Sequence, residues 1–128
     1  MARTTYRLSR VAGGPPLGNH IVRADNPLTR IVGLLGRRSL APGEGIWFEP
    51  ASSIHTAFMR FAIDVIFLDR EGVVLRCIPA MRPFRAVVQR GARAAVELPP
   101  GTIERCGIVA GDRLTMTAAD ASEGSTAA

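Results

Sequence analysis

The sequence predicts one β-rich α+β domain: a strongly curved antiparallel sheet or small barrel, carrying one or two short helices. Three observations carry that prediction. The chain has 128 residues, enough for one ordinary domain and too few for two. Residues 61–68, Phe-Ala-Ile-Asp-Val-Ile-Phe-Leu, form an apolar run rich in β-branched and aromatic types, whose length suits a buried strand better than a helix. Asp69-Arg70-Glu71-Gly72 then fits a type I turn, with Asp first and Gly last, and Val73 to Ile78 returns as the partner strand. The domain is expected over residues 1–117, followed by a flexible tail over 118–128 whose small and polar residues show no pattern.

The remaining elements follow in chain order. Residues 4–11 alternate loosely and are expected to form a strand, which Gly13-Gly14-Pro15-Pro16 breaks. Residues 19–24 read as a second short strand. Asn26 suits a helix N-cap and Pro27 the first helical position, where its missing N–H costs nothing. Leu28, Ile31, Val32 and Leu35 follow on one helical face, and Gly36, Arg37 and Arg38 suit the helix's negative end. Pro42 to Gly45 is a turn before a strand at Ile46-Trp47-Phe48. Residues 79–92, interrupted by Pro79 and Pro83, read as irregular. A strand is expected at 93–98 and is stopped by Pro99-Pro100-Gly101. Thr102 is placed to cap a short helix ending at Cys106, and a last strand is expected at 113–117.

Composition narrows the function classes. Hydrophobic residues make up 47% and charged residues 21%, which excludes wholesale disorder. No apolar run approaches the ~20 residues of a membrane-spanning helix. Arginines near the N-terminus are not followed by an apolar stretch, so no secretory signal is expected and the cytoplasm is the expected location. The sixteen basic residues are all arginine and outweigh eleven acids, for a formal charge of +5. Arginine makes planar, forked contacts with carboxylates and phosphates. Cys77 and Cys106 lack CxxC spacing and read as buried thiols of a reducing compartment. With His20 as the one other histidine beside His55, neither a metal site nor a cofactor is expected.

Four blocks in order resemble a known family. They are Gly-Leu-Leu-Gly-Arg-Arg (33–38), Ile-His-Thr-Ala-Phe-Met-Arg-Phe-Ala-Ile-Asp-Val-Ile-Phe-Leu-Asp (54–69), Ala-Val-Glu-Leu-Pro-Pro-Gly-Thr (95–102) and Gly-Ile-Val-Ala-Gly-Asp-Arg-Leu (107–114). Over roughly residues 22–115 the chain is similar to the DUF192, or UPF0127, family of small prokaryotic proteins of unknown function. The resemblance implies a compact β-rich domain with short helices. It implies no substrate, cofactor or catalytic residue.

Candidate functional residues must therefore come from chemistry. Asp64 stands in the middle of the apolar run, where a carboxylate needs partners or a function. If the hairpin closes with Leu68 opposite Val73, Asp64 falls opposite Cys77; a bulge would send it toward Arg76 or Ile78. His55, Thr56 and Met59 precede this strand, and His55 is the residue type that titrates near neutral pH. Cys77, His55 and Asp64 are conceivable as a nucleophilic set, but a thiol inside an apolar strand is usually inert. Between Glu71 and Glu97 there is no acid but five arginines: Arg76, Arg82, Arg85, Arg90 and Arg93. Several fall in a loop around Pro79 to Arg85, the kind of element that carries binding groups on a rigid sheet. The bland alternative is a solvated face whose arginines pair with Glu97, Asp64 or Glu49.

The expected function is a small non-catalytic binding or accessory module. It would recognise an anionic small molecule or an acidic protein partner through Arg76, Arg82 and Arg85, with His55, Thr56, Met59 and Asp64 on the same surface. Two alternatives stand beside it: a small enzyme using Asp64 and His55 in acid–base chemistry, and a weak, charge-driven nucleic-acid binder. The latter lacks aromatic residues interleaved with the arginines, so nucleic acid is the less expected partner.

Overall fold

The computed structural model describes residues 4–24, 40–56 and 60–119. The helix expected over 27–35 and the candidate Met59 lie outside them. Among the described residues the elements are β1 (Tyr6–Arg10), β2 (Gly18–Ala24), β3 (Glu44–Phe48), β4 (Ser53–His55), β5 (Ile63–Leu68), β6 (Val74–Met81), β7 (Ala86–Val88), β8 (Ala94–Leu98), α1 (Thr102–Cys106) and β9 (Leu114–Ala118). Seven strands form one sheet in the order β6-β5-β8-β3-β2-β1-β9, and β4 pairs with β7 in a separate ribbon.

The β-rich expectation holds, with two corrections to its geometry. The sheet is mixed rather than antiparallel, because β2 and β3 run parallel, His20 opposite Glu44 through Ala24 opposite Phe48. Gly18 allows that approach: a Cβ there would lie 2.5 Å from the Gly43 carbonyl oxygen. Among the described residues the sheet does not close into a barrel, and β6 and β9 are its two ends. These ends meet at one corner, where Val73 bridges Arg113 and the Val74 N–H donates to the Asp112 carbonyl at 2.7 Å.

Strand β5 lies between β6 and β8, and all six of its residues are buried. Its two faces feed two different cores, which is why its sequence reads as a continuous apolar run without alternation. Ile66 and Leu68 pack with Val96, Leu98, Ile103, Cys106, Leu8 and Leu114. Ile63, Val65 and Phe67 pack on the other side with Phe48, Ala95, Met81 and Ile54. The β4–β7 ribbon covers this second face, with Ile54 in the cluster and Val87 and Ile78 packed against it. Residues 79–92 are accordingly less irregular than expected: β6 runs through Met81, and β7 occupies Ala86–Val88.

The β5–β6 turn has the expected chemistry. Asp69 Oδ1 accepts the N–H groups of Glu71 (2.8 Å) and Val73 (3.0 Å), and Gly72 closes the turn at φ 83°. The register beyond it departs from expectation. Leu68 faces Val74 rather than Val73, Phe67 faces Arg76, and the pairing shifts again between Val65, opposite Ile78, and Ile63, opposite Met81. Each irregularity moves the partner by one residue. Together they carry Asp64 past Cys77, Arg76 and Ile78 to the backbone at Ala80.

Candidate functional site

Asp64 is fully buried and both of its oxygens are used. Oδ1 accepts the Ala80 N–H at 2.8 Å and Oδ2 the Ile103 N–H at 2.8 Å. Ala80 reaches it by adopting φ 49°, a left-handed conformation that a non-glycine residue holds only when its surroundings over-determine it. Ile103 is the second residue of α1, whose first N–H groups have no partner within the helix. Thr102 does not cap this helix as expected. Its hydroxyl donates to the Pro99 carbonyl at 2.7 Å, and the N-cap position is Gly101, which has no side chain to offer. The carboxylate of a distant strand supplies the missing acceptor. One side chain thus fixes β6 on one side and the start of α1 on the other.

Thr56 organises the arginine loop. It is fully buried, its hydroxyl donates to the Arg82 carbonyl at 2.6 Å, and the same oxygen accepts the Arg85 N–H at 2.9 Å. Its backbone adds two contacts: the Thr56 N–H donates to the Arg85 carbonyl, and the Phe84 N–H to the Thr56 carbonyl. The loop therefore wraps around one hydroxyl, with Phe84 at φ 61° and 75% exposed at its tip.

This arrangement brings Arg76, Arg82 and Arg85 to one surface pocket of about 430 Å³. Ile78, Pro79, Ala80, Met81, Ala86 and Val87 line the rest of it, with no acid among them. The pocket lies where the ribbon meets β6, the end strand of the large sheet. All three arginines are exposed, and among the described residues no acidic side chain forms an ion pair with them. Arg93 behaves differently: its Nε lies 3.3 Å from Glu49, which also binds Arg23 and the Trp47 indole N–H. Of the five arginines in the acid-free window, the pocket gathers three.

Other candidates are placed elsewhere. His55 is exposed and pairs with Ala86 on the outward side of the ribbon, with Ile54 turned inward. Asp64 faces the opposite core, the one that contains Ile103. The main sheet separates the two. Cys77 packs on the Ile103 side as well, so Cys77, His55 and Asp64 do not assemble into a nucleophilic set. Glu97, which bounds the acid-free window and is expected from the sequence only as a partner of arginines on a solvated face, is a second buried acid. It lies in β8 opposite Val65 and Ile46 and is engaged there. Its signal was available: it interrupts the apolar residues of Ala-Ala-Val-Glu-Leu as Asp64 interrupts its own strand. Among the described residues no group of three or more His, Cys, Asp or Glu is placed to hold a metal ion.

Cys77 and Cys106 are both free thiols. Burial, and then the negative charges of Asp112 and Asp64, push the Cys77 thiol up to about 11. Its thiolate fraction at pH 8 is then roughly a hundredfold below that of an ordinary thiol, since only the thiolate is nucleophilic. Iodoacetamide should label Cys77 in the folded protein at about 1% of the rate in the urea-unfolded chain, rising as pH passes 10. Equal rates in the two states at pH 8, read by peptide mass spectrometry, would contradict this. The sign for stability follows: the folded state holds this proton more tightly, so the contribution is complete below about pH 9 and is lost as pH rises toward 11.

The fold, an open mixed sheet with a two-stranded ribbon against one face, is shared with solved proteins. A Sinorhizobium meliloti protein provisionally described as a transcription regulator superposes with a TM-score of 0.75 at 24% identity, covering 91% of this chain and 97% of its own. A Novosphingobium aromaticivorans protein of unknown function gives 0.72 at 20% identity, covering 86% and 82%. The DUF192 family model, described as "Uncharacterized ACR", matches residues 13–116. UPF0127 proteins of Pyrococcus furiosus and Pyrococcus abyssi are 38% and 33% identical over 98 residues, each covering 71% of this chain and 81% and 80% of their own length. The chain belongs to the DUF192 family, as its sequence blocks indicate. No helix among the described residues is long and apolar enough to cross a membrane.

Proposed function

We propose that the protein binds an anionic ligand in the pocket formed by Arg76, Arg82 and Arg85. One observation carries the reading: three arginines line one pocket that, among the described residues, no acid lines and no acid pairs with. Like charges gathered without counter-charges repel one another, and an arriving carboxylate or phosphate relieves that repulsion while accepting forked hydrogen bonds. The rigid mounting of the loop on Thr56 reduces the ordering cost of binding. The module is read as non-catalytic, because Asp64 commits both oxygens to backbone N–H groups and His55, on the ribbon opposite Ala86, lies across the main sheet from it.

Isothermal titration with inorganic pyrophosphate tests the reading. The wild-type chain is expected to bind saturably, and Arg82→Ala/Arg85→Ala to bind at least about tenfold more weakly with an unchanged melting temperature. Equal affinity in the double variant would eliminate the pocket. Tight binding of a DNA or RNA duplex that collapses steeply with salt would favour the charge-driven reading instead.

A further inference from the structure

The pocket is two-sided in character, and this bears on what kind of anion it takes. Its lining from β6 is consecutive, Ile78 to Met81, with Arg76 two residues earlier. Residues on one face of a strand would alternate, so the pocket runs over the edge of β6 rather than across a face. On the ribbon side it takes Arg85, just before β7, and then Ala86 and Val87 of β7 in succession. Three of these lining residues also belong to the second core. Met81 is a buried member of it, and Ile78 and Val87 pack against it as partly buried residues. The bottom of the pocket is therefore the margin of the hydrophobic core, with Met81 buried and Ile78 and Val87 half-buried between the sheet and its ribbon. Arginines stand among these apolar groups, where a guanidinium keeps its charge while its stem lies along apolar surface.

We infer that the ligand is an amphiphilic anion: a carboxylate or phosphate monoester carried on an apolar body, with the charged head among Arg76, Arg82 and Arg85 and the body against Ile78, Met81 and Val87. This rests on the anion-binding reading and adds the apolar half. A cavity of this size accommodates a small organic molecule. A bare inorganic anion would satisfy the arginines and leave the apolar bottom wet.

The two halves are separable by titration with inorganic phosphate, with butyrate, hexanoate and octanoate, and with the matching alkyl phosphates. Each added methylene that leaves water is worth about a fourfold gain at full burial, so two- to fourfold per methylene is expected until the pocket fills. The alkyl phosphates should follow the same slope from a tighter start, because a phosphate carries more charge to the three guanidinium groups. Ile78→Thr, half-buried and still β-branched, should flatten the slope below twofold. Arg82→Ala/Arg85→Ala should weaken every member of both series together. Phosphate binding with no dependence on chain length overturns the amphiphile and leaves the anion site intact. Absence of all binding overturns both, and the wild-type series alone decides between these outcomes.

Discussion

Asp64→Ala is expected to destabilise the protein by about 3–5 kcal/mol, because it orphans the buried N–H of Ile103 and the part-buried N–H of Ala80 at once and leaves a void among packed strands. For a domain of this size that lowers the melting temperature by about 10–20 °C. Asp64→Asn is the more informative change. Its amide keeps one acceptor oxygen but turns an NH₂ toward a second N–H, so one of the two contacts becomes a donor facing a donor. A loss of about 2–3 kcal/mol is expected, together with faster amide exchange at both Ala80 and Ile103, the two positions the carboxylate joins. Urea unfolding and exchange measurements check this. An Asn variant melting within about 2 °C of wild type would show that the carboxylate does not hold these elements.

The second large effect is expected at Thr56. Thr56→Val keeps the shape and removes the hydroxyl, so the Arg82 carbonyl loses its donor and the Arg85 N–H its acceptor. The cost is about 1–3 kcal/mol for the part-buried groups left unpaired. The functional effect is larger in consequence, since the loop that carries Arg82 and Arg85 is released and pyrophosphate affinity should fall about tenfold or more. Thr56→Ser restores the hydroxyl and should recover most of both. If Thr56→Val leaves exchange at Arg85 and anion affinity unchanged, the loop is held by something other than that hydroxyl.

Much of the fold was legible because local chemistry agreed with it. Residues 61–68 had the composition of a two-faced central strand, Asp69 to Gly72 the turn chemistry, and Pro99-Pro100-Gly101 the stop before α1. The arginines of the pocket were legible as an acid-free window, though not as a pocket. What closes it is the β4–β7 ribbon, two strands of three residues each with no strong periodicity, paired across about thirty residues of chain. Three-residue strands are set by tertiary contacts, here by Ile54 in the core and by Thr56, more than by their own propensity. The partners of Asp64 were hidden for a related reason. The anomaly of an acid in an apolar strand was visible, but two register shifts decide what it faces, and bulges leave no dependable mark in a single sequence. The parallel pairing of β2 with β3 is not an expectation of the strand pattern, although a helix expected over 27–35 between the two strands is the kind of crossover that joins parallel neighbours.

The arginine side chains themselves provide the most direct test of the pocket. In ¹⁵N-labelled protein titrated with inorganic phosphate, the Nε–Hε resonances of Arg76, Arg82 and Arg85 should shift together and saturate along one binding curve. Exposed Arg7, on β1 and not among the residues lining the pocket, serves as the control and should not follow that curve. Small, unsaturated shifts of equal size at all four arginines would mean that phosphate meets only diffuse surface charge, and the pocket would then have no claim to be a site.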